Sequence, residues 1–198
     1  MRKFLFLILC VFSTLSFAAS SPVPELQATA NKIVAELKSN QNQLATNPKI
    51  ASNIVTQYLL PLADQQGMAQ AALGRAAWKS ATPTQRTEFV NQFRTLIVKT
   101  YAAAFSHFKD QKVEFLPLRG QLAAQNNITV QSKIISSQRP PVTVTYNLVN
   151  QGGHWKVRDF SVDGISMIQS FNSQFTSQLA QGGIAKLIET LKQHNAKV

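Results

Sequence analysis

Residues Arg139 to Phe175 read RPPVTVTYNLVNQGGHWKVRDFSVDGISMIQSFNSQF, and this run decides the fold class. Val142, Val144, Tyr146 and Leu148 alternate with Thr143, Thr145 and Asn147. That is the period of two that gives a strand one apolar and one polar face. Asn150-Gln151-Gly152-Gly153 is hairpin chemistry, so the next strand returns antiparallel. It begins with Trp155 and Val157 on one face, then shifts its apolar residues to Phe160 and Val162 on the other. A slip of one residue swaps the faces, so the shift predicts a bulge or strong coiling near Arg158 and Asp159. Asp163-Gly164 is a tight turn. Beyond it, Ile165, Ile168, Phe171, Phe175 and Leu179 take helical spacing; Gly182-Gly183 ends that helix, and Ile184, Leu187, Ile188 and Leu191 build a last one.

Upstream of this run the period of two continues. Val113 and Phe115 begin one strand, and Ile128, Val130 and Ile134 mark another. The connections are too short for helices, so four strands form an antiparallel meander. Before Lys112 the chain reads as helices. Leu26, Ala30, Ile33, Val34 and Leu37 share one face. Asn47-Pro48 looks like an N-cap followed by Pro at the first helical position, opening a helix that stops near Pro61. Asp64 caps a helix running to about Lys79, which Gly74 weakens or breaks. Thr82-Pro83-Thr84-Gln85 is a capping box with Pro at N1. The helix it opens carries Phe89, Val90, Phe93, Leu96, Ile97, Tyr101, Ala104, Phe105 and Phe108, a stripe wider than one neighbouring helix covers. Helices, then strands, then helices is the order of an α+β domain with helices gathered on one side of an antiparallel sheet.

The N-terminus reads as a secretory signal peptide, with Arg2 and Lys3 before the apolar Phe4 to Phe17 and a small-residue cleavage site at Ala18. Residues 1–18 are then removed and 19–198 form a single domain. Cys10 is the chain's one cysteine and leaves with the leader, so the 180 residues that remain of 198 are held by their core without a disulfide. The net charge is +11; without Arg2 and Lys3, 18 basic residues face 9 acidic ones, a net of +9. Such a chain is drawn to anionic surfaces. Export disfavours nucleic acid, leaving lipid head groups and acidic protein faces as the polyanions at hand.

Catalytic chemistry leaves little trace. Gly164-Ile165-Ser166 starts like a nucleophile elbow, but Ile168 stands where its second Gly belongs. His107, His154 and His194 lie far apart, without metal-ligand spacing. Asp159 and Asp163 face the same way on an extended strand, as an acid and base pair would. A turn role for Asp163 and a backbone tie for Asp159 suit their setting better.

Several pieces in fixed order resemble the MlaC family of periplasmic phospholipid carriers, also known as toluene-tolerance auxiliary proteins. They are Leu73-Gly74-Arg75, Ala81 to Arg86, the Phe93 to Tyr101 run, Arg139-Pro140-Pro141-Val142, Gly153, Trp155, Asp159, and Asp163-Gly164-Ile165-Ser166-Met167. The resemblance implies a fold related to the nuclear-transport-factor cone, a curled four-stranded sheet with about six or seven helices enclosing an apolar cavity. It implies no enzyme, no metal and no cofactor, with phospholipid as cargo. On that basis Met68, Leu73, Phe89, Phe93, Ile97, Tyr101, Val144, Tyr146, Trp155, Phe160, Val162, Ile165, Ile168 and Phe171 are the candidate lipid-binding residues. Arg75, Arg86, Arg94 and Arg139 are the candidate docking residues. By the same resemblance the protein is a monomeric periplasmic shuttle that maintains outer-membrane lipid asymmetry. Its partners are an inner-membrane ABC transporter complex with an MCE-domain protein and an outer-membrane lipoprotein complex. An enzyme on the same cone, acting on a small apolar substrate, is the alternative. One departure stands out. Many members carry an aromatic-Arg pair before Ser-Gln-Phe, where this chain has Phe171-Asn172.

Overall fold

Local chemistry opens and closes most of the helices. In the computed structural model, which describes residues 20–118 and 125–197, α1 spans Val23–Ser39 and buries Leu26, Ala30, Ile33 and Leu37. Helix α2 spans Pro48–Ile54, with Pro48 at its first position, although the Asn47 side chain makes no capping bond. It does not run on to Pro61 as one α-helix: Val55–Leu59 widens into a π turn and Leu60–Leu62 tightens into a 3-10 turn. Helix α3, Gln65–Leu73, is capped by Asp64, whose Oδ1 accepts from the Gly67 N–H at 3.0 Å. Gly74 breaks the chain before α4, Arg75–Ser80, with φ of 85°, a value that only glycine adopts without strain. Thr82 and Gln85 form the expected box, their reciprocal bonds 3.0 and 3.2 Å long. Helix α5 follows as Pro83–Phe105. It stops short of Phe108, which is buried in the connection beyond.

Among the described residues the sheet is an antiparallel meander of five strands, one more than the sequence suggested: β1 Lys112–Phe115, β2 Asn127–Ile135, β3 Val142–Gln151, β4 His154–Val162 and β5 Ile165–Ser166, hydrogen-bonded in that order. It is curled but does not close, so β1 and β5 remain edges. Gly152 and Gly153, with φ of 61° and 89°, make the two-residue turn between β3 and β4. Asn147 pairs with Asp159 but Leu148 pairs with Val157, which leaves Arg158 as the extra, bulged residue. The bulge expected near Arg158 and Asp159 is therefore present, and it decides which face the apolar residues take. Because directly paired residues project to one face, the pairs Leu148–Val157, Tyr146–Phe160 and Val144–Val162 put both apolar halves of β4 on the same side. The slip in the sequence is cancelled by the slip in the ladder.

The edges and ends of the sheet are tied to the helices by polar contacts. Gln27 of α1 donates through Nε2 to the Val113 carbonyl and accepts from the Phe115 N–H, both at 2.9 Å, standing in for a neighbouring strand along β1. The free edge of β4 takes Ala63 as a parallel bridge, and the Asp64 N–H donates to the Val157 carbonyl at 2.8 Å. The bulge turns Arg158 toward α3, where its guanidinium contacts Asp64 Oδ2 at 2.6 Å. Asp163 and Gly164, with φ of 47° and 85°, form a turn into β5 rather than directly into a helix. Helix α6, Met167–Lys197, starts two residues later than the apolar spacing implied and kinks at Gly182 and Gly183. Ser166 Oγ accepts from the Gln169 N–H, and Asp159 holds both the Ser166 hydroxyl at 2.6 Å and the Ile168 N–H at 3.2 Å. Asp159 is thus the backbone tie expected, while Asp163 Oδ1 takes the Thr143 N–H. Each carboxylate is occupied by its own structural partners.

Among the described residues the apolar side chains gather in four clusters, two of which bear on the site. One lies among α3, α5 and α6, where Phe89, Phe93, Phe171 and Phe175 pack ring against ring at 5.3 to 5.9 Å, as quadrupole attraction favours. The other joins Leu26 of α1 to Ile128, Val130, Leu148 and Trp155 of the sheet.

Candidate functional site: the inner face of the sheet

The face of the sheet turned toward α1 and α5 is apolar along every long strand, and its burial changes from one end to the other. At the β3–β4 hairpin end, Ile128, Val130, Leu148 and Trp155 are buried beneath Leu26 and Val23. At the opposite end, Val113, Ile134, Val142 and Val162 are only half-buried. Helix packing thus seals one end of this face and leaves the other partly accessible.

A row of aromatic rings crosses it. Phe115 stacks on Tyr146 at 5.4 Å, Tyr146 lies 6.5 Å from Phe160, and Phe160 meets Tyr101 of α5 edge-on at 5.1 Å. Tyr101 reaches the sheet because α2 and α5 approach closely through Ala51, Val55 and Ala102, all buried. Polar atoms are few. Ser132, fully buried, sits with its Oγ 3.2 Å from the Tyr146 hydroxyl. The Tyr101 hydroxyl is buried without a hydrogen-bond partner among the described residues. Burial pushes both phenol pKa values up; the Asp159 charge adds to this at Tyr101, and the Ser132 contact opposes it at Tyr146. Both rings therefore stay neutral at physiological pH, so the face has no charge of its own.

The candidate lipid-binding residues divide by location. Tyr101, Tyr146, Phe160 and Val162 stand half-buried on the inner face, with Val144 and Trp155 buried beside them. Met68, Leu73, Phe89, Phe93 and Ile168 are instead fully buried in the helical core, with Ile97 and Phe171 packed against it. Ile165 is not on a helix face at all: it lies in β5 and is 63% exposed. Sequence reasoning passed over Phe115, Val113, Ile134 and Val142, which share the inner face. Their period-two positions were visible, but only the register that pairs Val113 with Ile134 and Ile134 with Val142 unites them.

The arginines divide as well. Arg75, Arg94 and Arg139 are exposed. Arg86 is engaged within the fold, donating from Nε to the Trp78 carbonyl at 2.8 Å and from Nη2 to the Lys79 carbonyl at 3.1 Å, with its guanidinium over the Trp78 ring. It satisfies carbonyls at the end of α4 that have no partner within the helix. Replacing Arg86 with Glu is accordingly expected to lower stability by about 2 kcal/mol. Arg94→Glu is expected to be neutral within about 0.5 kcal/mol. Thermal unfolding of the two variants measures the difference. At the departure from the family pattern, Asn172 Nδ2 donates to the Ala72 carbonyl at 3.0 Å and the Ala71 carbonyl at 3.3 Å, closing the end of α3 from α6.

Known proteins resemble this chain in sequence, and one solved structure resembles it in architecture. The profile of the family described as MlaC protein matches residues 27–193. Toluene tolerance protein ttg2D of Pseudomonas putida is 26% identical over 183 residues, covering 92% of this chain and 84% of that one. The intermembrane phospholipid transport system binding protein MlaC of Haemophilus influenzae is 28% identical over 181 residues, covering 90% of this chain and 84% of its own. Among solved structures, the phospholipid-binding protein of Ralstonia solanacearum in complex with a phospholipid superposes with a TM-score of 0.80. The two are 26% identical, and the match covers 90% of this chain and 98% of that one. With the curled meander, the bulged fourth strand and the Asp163-Gly164 turn all in place, a profile match over most of its length means that the chain belongs to the MlaC family.

Proposed function

We propose that this protein binds a diacyl phospholipid, with the acyl chains against the inner face of the sheet, and carries it across the periplasm between the two membranes of a Gram-negative envelope. The observation that carries this reading is the accessible half of that face, apolar and uncharged, in a fold shared with a protein solved with a phospholipid. The physical demand on such a carrier is large. Each methylene moved into water costs about 0.8 kcal/mol, so two acyl chains cost on the order of 20 kcal/mol to expose. A neutral aromatic and aliphatic wall meets that demand without a catalytic group.

The shuttle takes lipid from one membrane complex and delivers it to another. Resemblance supplies the identities: an inner-membrane ABC transporter complex with an MCE-domain protein, and an outer-membrane lipoprotein complex. Exposed Arg75, Arg94 and Arg139 are the docking residues that remain once Arg86 is assigned to α4. The protein works as a monomer, exported by its leader, which lies outside the described residues.

Protein purified without added lipid is expected to carry about one equivalent of diacyl phospholipid, read by native mass spectrometry and by analysis of an organic extract. Apo protein alone in repeated preparations would sink the proposal.

A further inference from the structure

A cleft of about 700 Å³ lies at the end of the sheet where the inner face is only half-buried. One wall is the end of α5 and the connection that follows, with Ala104, His107, Lys109 and Asp110; the other is the β2–β3 connection, with Ser136 and Arg139. The Ser137 N–H donates to Asp110 Oδ2 at 2.9 Å, which ties the two walls together and engages the one carboxylate among the lining residues. Lys109 and Arg139, both exposed, leave the cleft with more positive than negative charge. The apolar inner face begins next to it: Val113 follows Gln111 of the cleft by two residues, and Ile134 precedes Ser136 by two.

We infer that this cleft receives the head group of the bound lipid and favours an anionic phosphodiester head group over a zwitterionic one. The inference rests on the carrier reading and adds head-group selectivity to it. Lys109 and Arg139 attract the phosphodiester of either lipid, but they repel the ammonium of phosphatidylethanolamine and not the uncharged glycerol of phosphatidylglycerol. Exposed charge pairs contribute weakly, so the preference is modest and fades as salt screens it.

The test loads delipidated full-length protein from vesicles of equal phosphatidylglycerol and phosphatidylethanolamine at low salt, and reads the bound species by mass spectrometry. Wild type is expected to enrich phosphatidylglycerol about threefold. A Lys109→Glu, Arg139→Glu variant should lose the enrichment, and a Lys109→Arg, Arg139→Lys variant should keep it. Equal uptake of both lipids by wild type, or enrichment that survives the double reversal, overturns head-group selectivity while leaving the carrier intact. Wild type that loads neither lipid overturns the carrier and this inference together. Inorganic phosphate titrated onto filled and emptied protein distinguishes the source of the anion. Equal binding to both forms would mark a free-phosphate site and overturn head-group occupancy.

Discussion

Replacing Val162 with Trp is expected to weaken phospholipid retention roughly fiftyfold while leaving the fold intact. Val162 is half-buried on the inner face beside buried Val144. The larger side chain fills space equal to about three methylenes. Each methylene excluded from a dry wall forfeits about 0.8 kcal/mol, and about 2.4 kcal/mol converts to that loss of affinity. Ile97→Trp supplies the contrast. Ile97 is packed against the helical core of Phe89, Phe93 and Ile168, where extra volume has nowhere to go. Overpacking there costs about 1 to 3 kcal/mol and should lower the melting temperature without emptying the protein. Lipid content and thermal unfolding of both variants decide the matter. If Val162→Trp unfolds early with its lipid still bound, the inner face is core rather than binding wall.

The second large effect is expected at the joint between α3 and the bulge. Asp64 is 7% exposed and serves three structures at once, capping α3 through Gly67, bridging to Arg158 and bonding by its own N–H to β4. Asp64→Ala leaves the Gly67 N–H without its cap and Arg158 without its partner. The expected loss is about 2 kcal/mol, most of it from the cap, because half-exposed Arg158 regains water. For a chain of this size that lowers the melting temperature by roughly 4 to 8 °C. Gly67→Ala should act at the same joint, since an added Cβ would stand 2.1 Å from Asp64 Oδ2 and 2.8 Å from Arg158 Nε. Burial alone would raise the Asp64 pKa. The Gly67 N–H, Arg158 and Gln151 outweigh it and hold the carboxyl below the usual 3.8. Its stabilisation is therefore complete above about pH 3.8, the unfolded value, and is lost as pH falls through the lower folded value. Wild type and Asp64→Ala should differ most near neutral pH and converge in acid. A difference that persists undiminished into strong acid would show that the charge of Asp64 is not what matters.

The sequence alone determined whatever depends on residues close together in the chain. The capping box at Thr82 and Gln85, the cap at Asp64, the alternation of β3, the Gly152-Gly153 turn and the break at Gly74 each need only a few neighbouring residues, so their chemistry is written locally. Even the bulge was legible as a slip in period. Only the tertiary structure decided which apolar residues lie in the helical core and which line the inner face of the sheet. Phe93 and Tyr101 lie about two turns apart on α5, yet Phe93 meets Phe171 and Phe175 of α6 while Tyr101 meets Phe160 of β4. Chemistry does not separate such residues; the partner across the gap does. The same reason governs Arg86, whose charge alone did not show that its guanidinium meets the carbonyls of α4, and Ile165, whose spacing fitted a helix until two residues paired with β4 instead. Burial and register belong to pairs of distant segments, and a single segment does not encode its partner.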